Sequence, residues 1–267
     1  MPELYVYYRI SDTPAYSVKS KAPYVNNENC LVNFLDNFRP DNLHIIADSM
    51  NDRTASFLKS IGETHKFSLD HVHNRSGSMT FSYVFHLALR HKDEDIVYFV
   101  EDDFLHLPGS KGILMEAFRE TKADYVTLYD HPDKYIDRKA GGPNPFVKKG
   151  GEPTRVITTT STHWKTTNST VLTFASRVKT LKADEREWKR CVLTKVPNDF
   201  LVFTRLNKSR FFYRVFKKRR TLIHPIPGRA THGEVAFLTP FVDWESVVPG
   251  GMRDGFDEDW NRGMGIT

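Results

Sequence analysis

The chain has 267 residues, 39% of them hydrophobic and 27% charged, a balance that supports one ordinary core and excludes disorder over the whole length. No window approaches the ~20 consecutive apolar residues of a membrane span, and no stretch has the layout of a secretory signal, so the expectation is a soluble, cytoplasmic protein. Cys30 and Cys191 stand alone, which excludes a disulfide framework and a Cys-x-x-Cys metal knuckle.

In chain order, Leu4 to Ile10 is a β-branched and aromatic run of strand length, followed by a polar loop through Ser11, Asp12 and Pro14. Cys30 to Phe38 carries apolar residues at helical spacing, and Pro40 stops it before a buried strand from Leu43 to Asp48. Ala55 to Ile61 reads as a short helix and Ser78 to Leu89 as a longer one. Ile96 to Val100 is a continuous apolar strand running into Glu101-Asp102-Asp103. Ile113 to Phe118 is helical, and Tyr125 to Tyr129 is a strand ending at Asp130. Strand and helix alternate, which implies an α/β fold with a mostly parallel central sheet and helices on both faces.

In such sheets ligands gather beyond the carboxyl ends of the strands. Asp12, Asp48, Glu101-Asp102-Asp103 and Asp130 all fall there. Any one of them alone is as readily a turn residue or a helix cap. Three successive carboxylates are different, because two of them, at i and i+2, lie on the same side of the chain and repel. A hard divalent cation, Mg²⁺ or Mn²⁺, would relieve that repulsion and would also bridge diphosphate oxygens. An acidic loop capping the next helix is the plain alternative.

The run Tyr98-Phe99-Val100-Glu101-Asp102-Asp103, after an alternating half, resembles the acidic metal motif of GT-A (Rossmann-like) glycosyltransferases, with inverting family 2 as the nearest comparison. The element order matches over residues 4–245, but only this motif and a few later residues match specifically. The resemblance implies a donor-binding half over 1–136, an acceptor-binding and catalytic half with a smaller β region over 137–247, and a tail over 248–267. It implies that Arg9, Asp12 and Asp48 border base and ribose. Asp103 would ligate the metal, Glu101 would ligate it directly or through water, and Asp102 would lie near the ribose or sugar.

Residues 137–153 are rich in Gly, Pro, Lys and Asn and read as an irregular loop, either a lid over the donor or a surface connection. Arg155 to Thr162 and Thr166 to Phe174 are β-rich segments around His163-Trp164-Lys165, which reads as a hairpin or a bent strand pair. An exposed Trp164 beside His163 would make a stacking platform for an acceptor sugar, whereas a buried Trp164 would be core. Arg177 to Cys191 is a helix with Asp184-Glu185-Arg186-Glu187 placed on its solvent side. Asp199, at the head of the next helix, matches by order the general base of inverting GT-A enzymes, with an N-cap role as the alternative. His232, in Thr231-His232-Gly233-Glu234 after a final strand over Thr221 to Ile226, sits where such enzymes return a late histidine to the metal; with the carboxylates it would suit Mn²⁺ over Mg²⁺. His224, between Ile223 and Pro225, reads as structural.

The expected activity is transfer of a sugar from a nucleoside-diphosphate sugar, a UDP-sugar first, to a hydroxyl on a glycan or glycoconjugate. The rival enzyme class, a sugar nucleotidyltransferase or phosphodiesterase, would use the same acids. A nucleotidyltransferase should carry a Gly-rich basic loop after its first strand, and Arg9 to Pro14 offers none. The formal net charge of +5 is concentrated in Arg205 to Arg220, interleaved with Phe211, Phe212, Tyr213 and Phe216. That segment suits a solvated face, a peripheral membrane contact or a nucleic acid, but a nucleic-acid binder would leave the acids and the late Thr-His-Gly-Glu unexplained.

Overall fold

The computed structural model describes residues 2–13, 20–142, 144–145, 147, 154–194, 196–207 and 219–249. Most of the 137–153 loop's Gly-rich end, the 208–218 part of the basic segment with its four aromatic residues, and the tail from 250 onward lie outside them. Among the described residues no helix is long and apolar enough to cross a membrane.

The first half alternates as its apolar pattern requires: β1 (Leu4–Ser11), α1 (Asn27–Asn37), β2 (Asn42–Asp48), α2 (Asp52–Gly62), β3 (Ser68–Val72), α3 (Gly77–Ala88) and β4 (Ile96–Glu101). Helices α1, α2 and α3 begin just after side-chain caps: Asn26, Asn51 and Ser76 accept from the backbone N–H of Asn29, Thr54 and Met79. Those caps satisfy N–H groups that the helix itself leaves unpaired, so each helix starts before its first apolar residue. Strand β3 escapes a reading by apolar alternation because its Ser-Leu-Asp-His-Val residues lie at a sheet edge with none fully buried.

The remaining elements are β5 (Phe104–His106), α4 (Ser110–Glu120), β6 (Tyr125–Val126), β7 (Val156–Thr158), β8 (His163–Thr166), β9 (Phe174–Arg177), α5 (Val178–Cys191), α6 (Asp199–Asn207), β10 (Leu222–Ile226) and β11 (Ala230–His232). Nine strands form one sheet in the order β3-β2-β1-β4-β9-β6-β10-β8-β7, in which β9 and β8 run against the other seven. The two halves of the chain therefore share a single, mostly parallel sheet. Strands β5 and β11 form a separate antiparallel pair.

Period-two alternation divides the core. Leu4, Val6, Tyr8 and Ile10 of β1, with Ile96, Tyr98 and Val100 of β4, face α1, α2 and α4. Tyr7 of β1, with Val97 and Phe99 of β4, faces α3, α5 and α6. On this second side Trp188 stacks on Phe174 at 4.7 Å, and the Phe203 ring stands edge-on to both Tyr125 and Trp188.

Three expectations need correcting. The strand expected over Tyr125 to Tyr129 is reduced to Tyr125–Val126, and Tyr129 pairs separately with Ala230 in an isolated parallel bridge. The hairpin turn spans 159–162, so His163-Trp164-Lys165 lies within β8. Asp184 does not face solvent: it is 2% exposed, accepts from the Tyr125 hydroxyl at 2.9 Å and forms a two-pronged pair with Arg220, Nε to Oδ2 at 2.7 Å and Nη2 to Oδ1 at 3.2 Å. Arg220 also reaches Asp124 Oδ1 at 3.1 Å. No helical pattern within α5 could reveal this, because the counter-charge arrives from the start of β10.

Removing that counter-charge would strand two buried carboxylates. Arg220→Met is expected to cost about 3–5 kcal/mol, which for a chain of this size lowers Tm by on the order of 10 °C. Thermal denaturation followed by circular dichroism checks it, and a Tm within a degree or two of the parent would contradict it.

Candidate functional site

Register sets the site's frame. Arg9 of β1 is opposite Glu101 of β4, and Ser11 is opposite Asp48 of β2, so the carboxyl ends of three parallel strands lie in one row. Arg9 and Glu101 share the α3 face. The guanidinium donates from Nη1 to Glu101 Oε1 at 2.7 Å and from Nη2 to the Gly77 carbonyl at 3.0 Å, and it lies 5.8 Å above the Phe81 ring.

Beyond the strand, Asp102 Oδ2 accepts from the Ser11 N–H at 2.7 Å. Asp103 Oδ2 accepts from two cations or potential cations: Lys21 Nζ at 3.1 Å and His232 Nε2 at 3.2 Å. His232 reaches Asp103 because β11 pairs with β5, with His232 opposite Phe104. The Gly233 N–H then donates to the Asp103 carbonyl at 2.8 Å. A side chain at Gly233 is excluded, since a Cβ there would fall 2.2 Å from Val25 Cγ1. On its other side this segment binds the chain around Lys21, with Ala22 N–H to Gly233 carbonyl at 3.0 Å, Val235 N–H to Ser20 carbonyl at 2.8 Å and a bridge between Lys21 and Glu234.

The three carboxyls are driven apart in proton affinity. Burial raises Asp103, but His232 and Lys21 outweigh it and hold the group below the ordinary range. Asp102 is raised, by burial first and then by the charge of Asp103. Burial also pushes Glu101 up to about 8; Arg9 opposes this, while Asp102, Asp103 and Asp199 add to it. The 2.7 Å contact with a guanidinium and a Glu101 side chain that is 19% exposed favour the ionised pair at neutral pH, since a guanidinium stays charged. Burial works against the Lys21 charge, yet Asp103 and Asp102 outweigh it and raise its pKa.

Do these groups suit the divalent cation that the acidic triplet suggests? Among the described residues no three His, Cys, Asp or Glu side chains converge into a ready-made cage. Among the described residues, three buried polar atoms beside the acids have no hydrogen-bond partner: Arg9 Nε, His232 Nδ1, on a residue 3% exposed, and the Tyr8 hydroxyl, on a residue fully buried. Tyr8 is raised well above its ordinary pKa by burial first, with Asp102, Asp103 and Glu101 among the further causes. A carboxylate, an imidazole and a second carboxyl make a hard, oxygen-rich donor set. It fits Mg²⁺ or Mn²⁺ provided that the rest of the shell comes from water and phosphate, as is usual for Mg²⁺.

The other sequence candidates are distributed differently. Asp48 is 3% exposed and takes hydrogen bonds from Thr80 Oγ1, Ser49 Oγ and the N–H groups of Asn74 and Arg75. These bonds make it the organiser of the loop between β3 and α3. Asp12 stays at the edge and ties β1 to two helix starts, through Asn27 Nδ2 at 3.1 Å, Asn51 N–H at 2.8 Å and Thr54 Oγ1 at 3.0 Å. Asp130 does not join the acidic row. Its carboxylate accepts from the Tyr135 hydroxyl at 2.8 and 3.0 Å and stands 3.4 Å from His224 Nδ1. It belongs to a separate polar cluster in which the buried Lys134 pairs with Asp133 at 3.0 Å. His224 is fully buried, and burial holds it well below its ordinary pKa, in keeping with a structural role.

Asp199 lies one residue inside α6, and the cap is Asn198, which accepts from the Leu201 N–H at 2.9 Å. Asp199 Oδ2 instead accepts from Thr170 Oγ1 at 2.6 Å, Thr170 N–H at 3.2 Å and Leu172 N–H at 3.3 Å. This clamps a turn in which Val171 and Leu172 adopt positive φ of 48° and 58°, a conformation that a β-branched residue rarely takes. Its charge adds a minor contribution to the raised pKa of Glu101. Trp164 does not form a sugar platform: it is fully buried and its indole N–H donates to Thr159 Oγ1 at 2.8 Å. Alternation along β8 sends Trp164 inward and leaves His163 exposed. Lys21 and Tyr8 had no signal in the sequence, one being an isolated lysine beyond a polar loop and the other the middle of an apolar strand.

No protein-family model matches the sequence, and no curated protein is similar to it at a significant level. Among solved structures the chain is similar to S. aureus TarS 1–349, at 13% identity and a TM-score of 0.47, covering 83% of this chain and 60% of that one. It is also similar to a Bacillus anthracis protein named as a glucose-1-phosphate thymidylyltransferase, solved with sucrose, at 11% identity and a TM-score of 0.47, covering 86% and 89%. TarS 1–349 in complex with UDP-GlcNAc matches at 13% identity and a TM-score of 0.41, covering 68% and 47%. The chain thus spans about 60% of the length of the TarS fragment.

Asp130 yields a pH prediction. Burial raises its carboxyl to about 6, so the folded protein holds a proton that the unfolded chain releases near pH 4. Stability attributable to this group therefore falls as pH rises from about 4 to about 6 and stays reduced above. Asp130→Asn removes that component and keeps an acceptor for Tyr135. The difference in unfolding free energy, variant minus parent, is expected to rise by roughly 2–3 kcal/mol between pH 4 and 7. Urea unfolding at both pH values measures it, and a difference independent of pH would contradict the assignment.

Proposed function

We propose that the protein is a divalent-metal-dependent glycosyltransferase that moves a sugar from a nucleoside-diphosphate sugar to a hydroxyl of a glycan or glycoconjugate, with inversion. The single observation that carries this reading is the meeting of Asp102, Asp103 and His232, with Lys21, beyond the carboxyl ends of the parallel strands. Ligands of such sheets lie at that edge. A negatively charged leaving group needs positive charge there, and acids alone would repel it.

Asp103 and His232 would hold the cation, with Asp102 beside it. When bound, Mg²⁺ or Mn²⁺ would supply electrostatic stabilisation of the charge that grows on the departing nucleoside diphosphate. Arg9 keeps Glu101 anchored below this group and prevents it from adding a mobile negative charge. Asp12 and the loop held by Asp48 would lie beside the nucleoside. Asp199 is the proposed base: among the described residues its hydrogen bonds go to Oδ2, and Oδ1 would take the proton of the attacking hydroxyl. The clamp on residues 170–172 fixes the carboxylate's direction.

Nucleotidyl transfer would use the same acids, and the products separate the two reactions: sugar transfer releases a nucleoside diphosphate, whereas nucleotidyl transfer releases pyrophosphate. UDP-GlcNAc is the first donor to try. In calorimetry UDP is expected to bind the parent only with Mn²⁺ or Mg²⁺ present and to lose that metal dependence in Asp103→Asn; equal, metal-independent affinity in both proteins would overturn the assignment. Asp199→Asn is expected to leave UDP affinity nearly unchanged and lower turnover by roughly 10² to 10⁴. An oxygen remains to accept from Thr170, so the clamp should survive. Near-parent turnover, or a product retaining the donor's anomeric configuration by NMR, would remove Asp199 as the base of an inverting transfer.

A further inference from the structure

Lys21 stands against the acidic row, although no motif around it points there. Its ammonium lies 3.1 Å from Asp103 Oδ2, the same oxygen that His232 Nε2 approaches to 3.2 Å. The backbone at Lys21 is held against Glu234 by a bridge, with bonds from Ala22 to Gly233 and from Val235 to Ser20 on either side. The residue's base is thus fixed to the segment that carries His232. Its side chain is 38% exposed while that of Asp103 is 16% exposed, so the lysine is the more solvent-accessible member of the pair.

A lysine ammonium and a divalent ion cannot both sit against one carboxylate oxygen, since the two cations repel and compete for the same lone pairs. A four-carbon stem with rotatable bonds, rooted on a fixed backbone, can swing away without disturbing the sheet. A ligand that brings phosphate oxygens with its metal offers the ammonium a second anion close by.

We propose that Lys21 is the resident counter-cation of Asp103, which holds the metal's place in the ligand-free protein and passes to the donor's diphosphate when nucleotide and metal enter together. The exchange makes metal binding depend on nucleotide: a bare ion must displace the ammonium into water with no new anionic partner, whereas a metal–nucleotide complex supplies one. This rests on the reading of the site as one for a nucleoside diphosphate, but its first half concerns the metal alone.

Two titrations separate the two ideas. With Mn²⁺ alone, followed by electron paramagnetic resonance of the free ion, Lys21→Met is expected to bind Mn²⁺ about tenfold more tightly than the parent, and Lys21→Arg, which keeps a cation, to stay close to it. With UDP in the presence of Mn²⁺, Lys21→Met is expected to lose about tenfold in nucleotide affinity, a charged hydrogen bond to phosphate having been removed. Unchanged or weaker Mn²⁺ affinity in Lys21→Met, with circular dichroism matching the parent, overturns the proposal. Lys21→Gln serves the same comparison if Lys21→Met does not fold. If Mn²⁺ binds more tightly to Lys21→Met but neither protein binds UDP, the competition stands while the transfer to diphosphate and the donor reading both fail. If the parent binds UDP with Mn²⁺ and the variant binds it equally well, the transfer fails while the donor reading stands.

Discussion

The pairing of β5 with β11 is the contact on which the site depends. Two short strands, remote in sequence, meet in antiparallel register, and Phe104 opposite His232 places an imidazole against the carboxylate that ends the β4 extension. Closing so long a loop has an entropic cost that grows only slowly with length, and the cost is offset locally. Leu105 belongs to a small apolar cluster with Val25, Cys30 and Trp244, while Phe104 and Ala230 belong to the main core. Gly233 fits because it has no side chain to meet Val25. Without the pairing, Asp103 would keep its burial but lose His232, and the bridge that fixes Lys21 would lose its support.

Charge balance is the second constraint. Three consecutive acids at a buried strand end would be costly unless compensated. Here each has its own answer: Glu101 has Arg9, Asp102 has a backbone N–H, and Asp103 has His232 and Lys21. The compensation is graded. Glu101 is closed off by a short, sheltered pair, whereas the partner of Asp103 is a half-exposed lysine that can leave.

Much of the fold was legible in the sequence because burial imposes period. The apolar runs of β1, β2 and β4 and the helical spacing of α1, α3 and α5 are consequences of two-sided and one-sided packing. The acidic row was legible too, since strand ends mark the ligand edge of a parallel sheet. What sequence could not carry was pairing at a distance: that Arg220 neutralises Asp184, that Asp130 faces Tyr135 and His224 and not the acids, and that Lys21 reaches Asp103. Asp48 shows the same limit, for an acid at the right strand end proved to be filled by four donors. Trp164 shows another: the aromatic residue next to an exposed histidine in a strand points the opposite way by alternation alone. Whether Asp199 caps its helix or serves another purpose turned on one residue of offset, which only the bond from Leu201 to Asn198 resolves.

The central claim is that β11 delivers His232 to a cation shared with Asp103 and a nucleoside diphosphate. The most direct measurement is pulsed electron paramagnetic resonance on the Mn²⁺–UDP complex of the protein, which detects nitrogen bound to the metal. The account predicts a nitrogen coupling from one imidazole in the parent that disappears in His232→Ala while the folded structure is retained. A complex with no nitrogen coupling, or one whose coupling persists in His232→Ala, would contradict it.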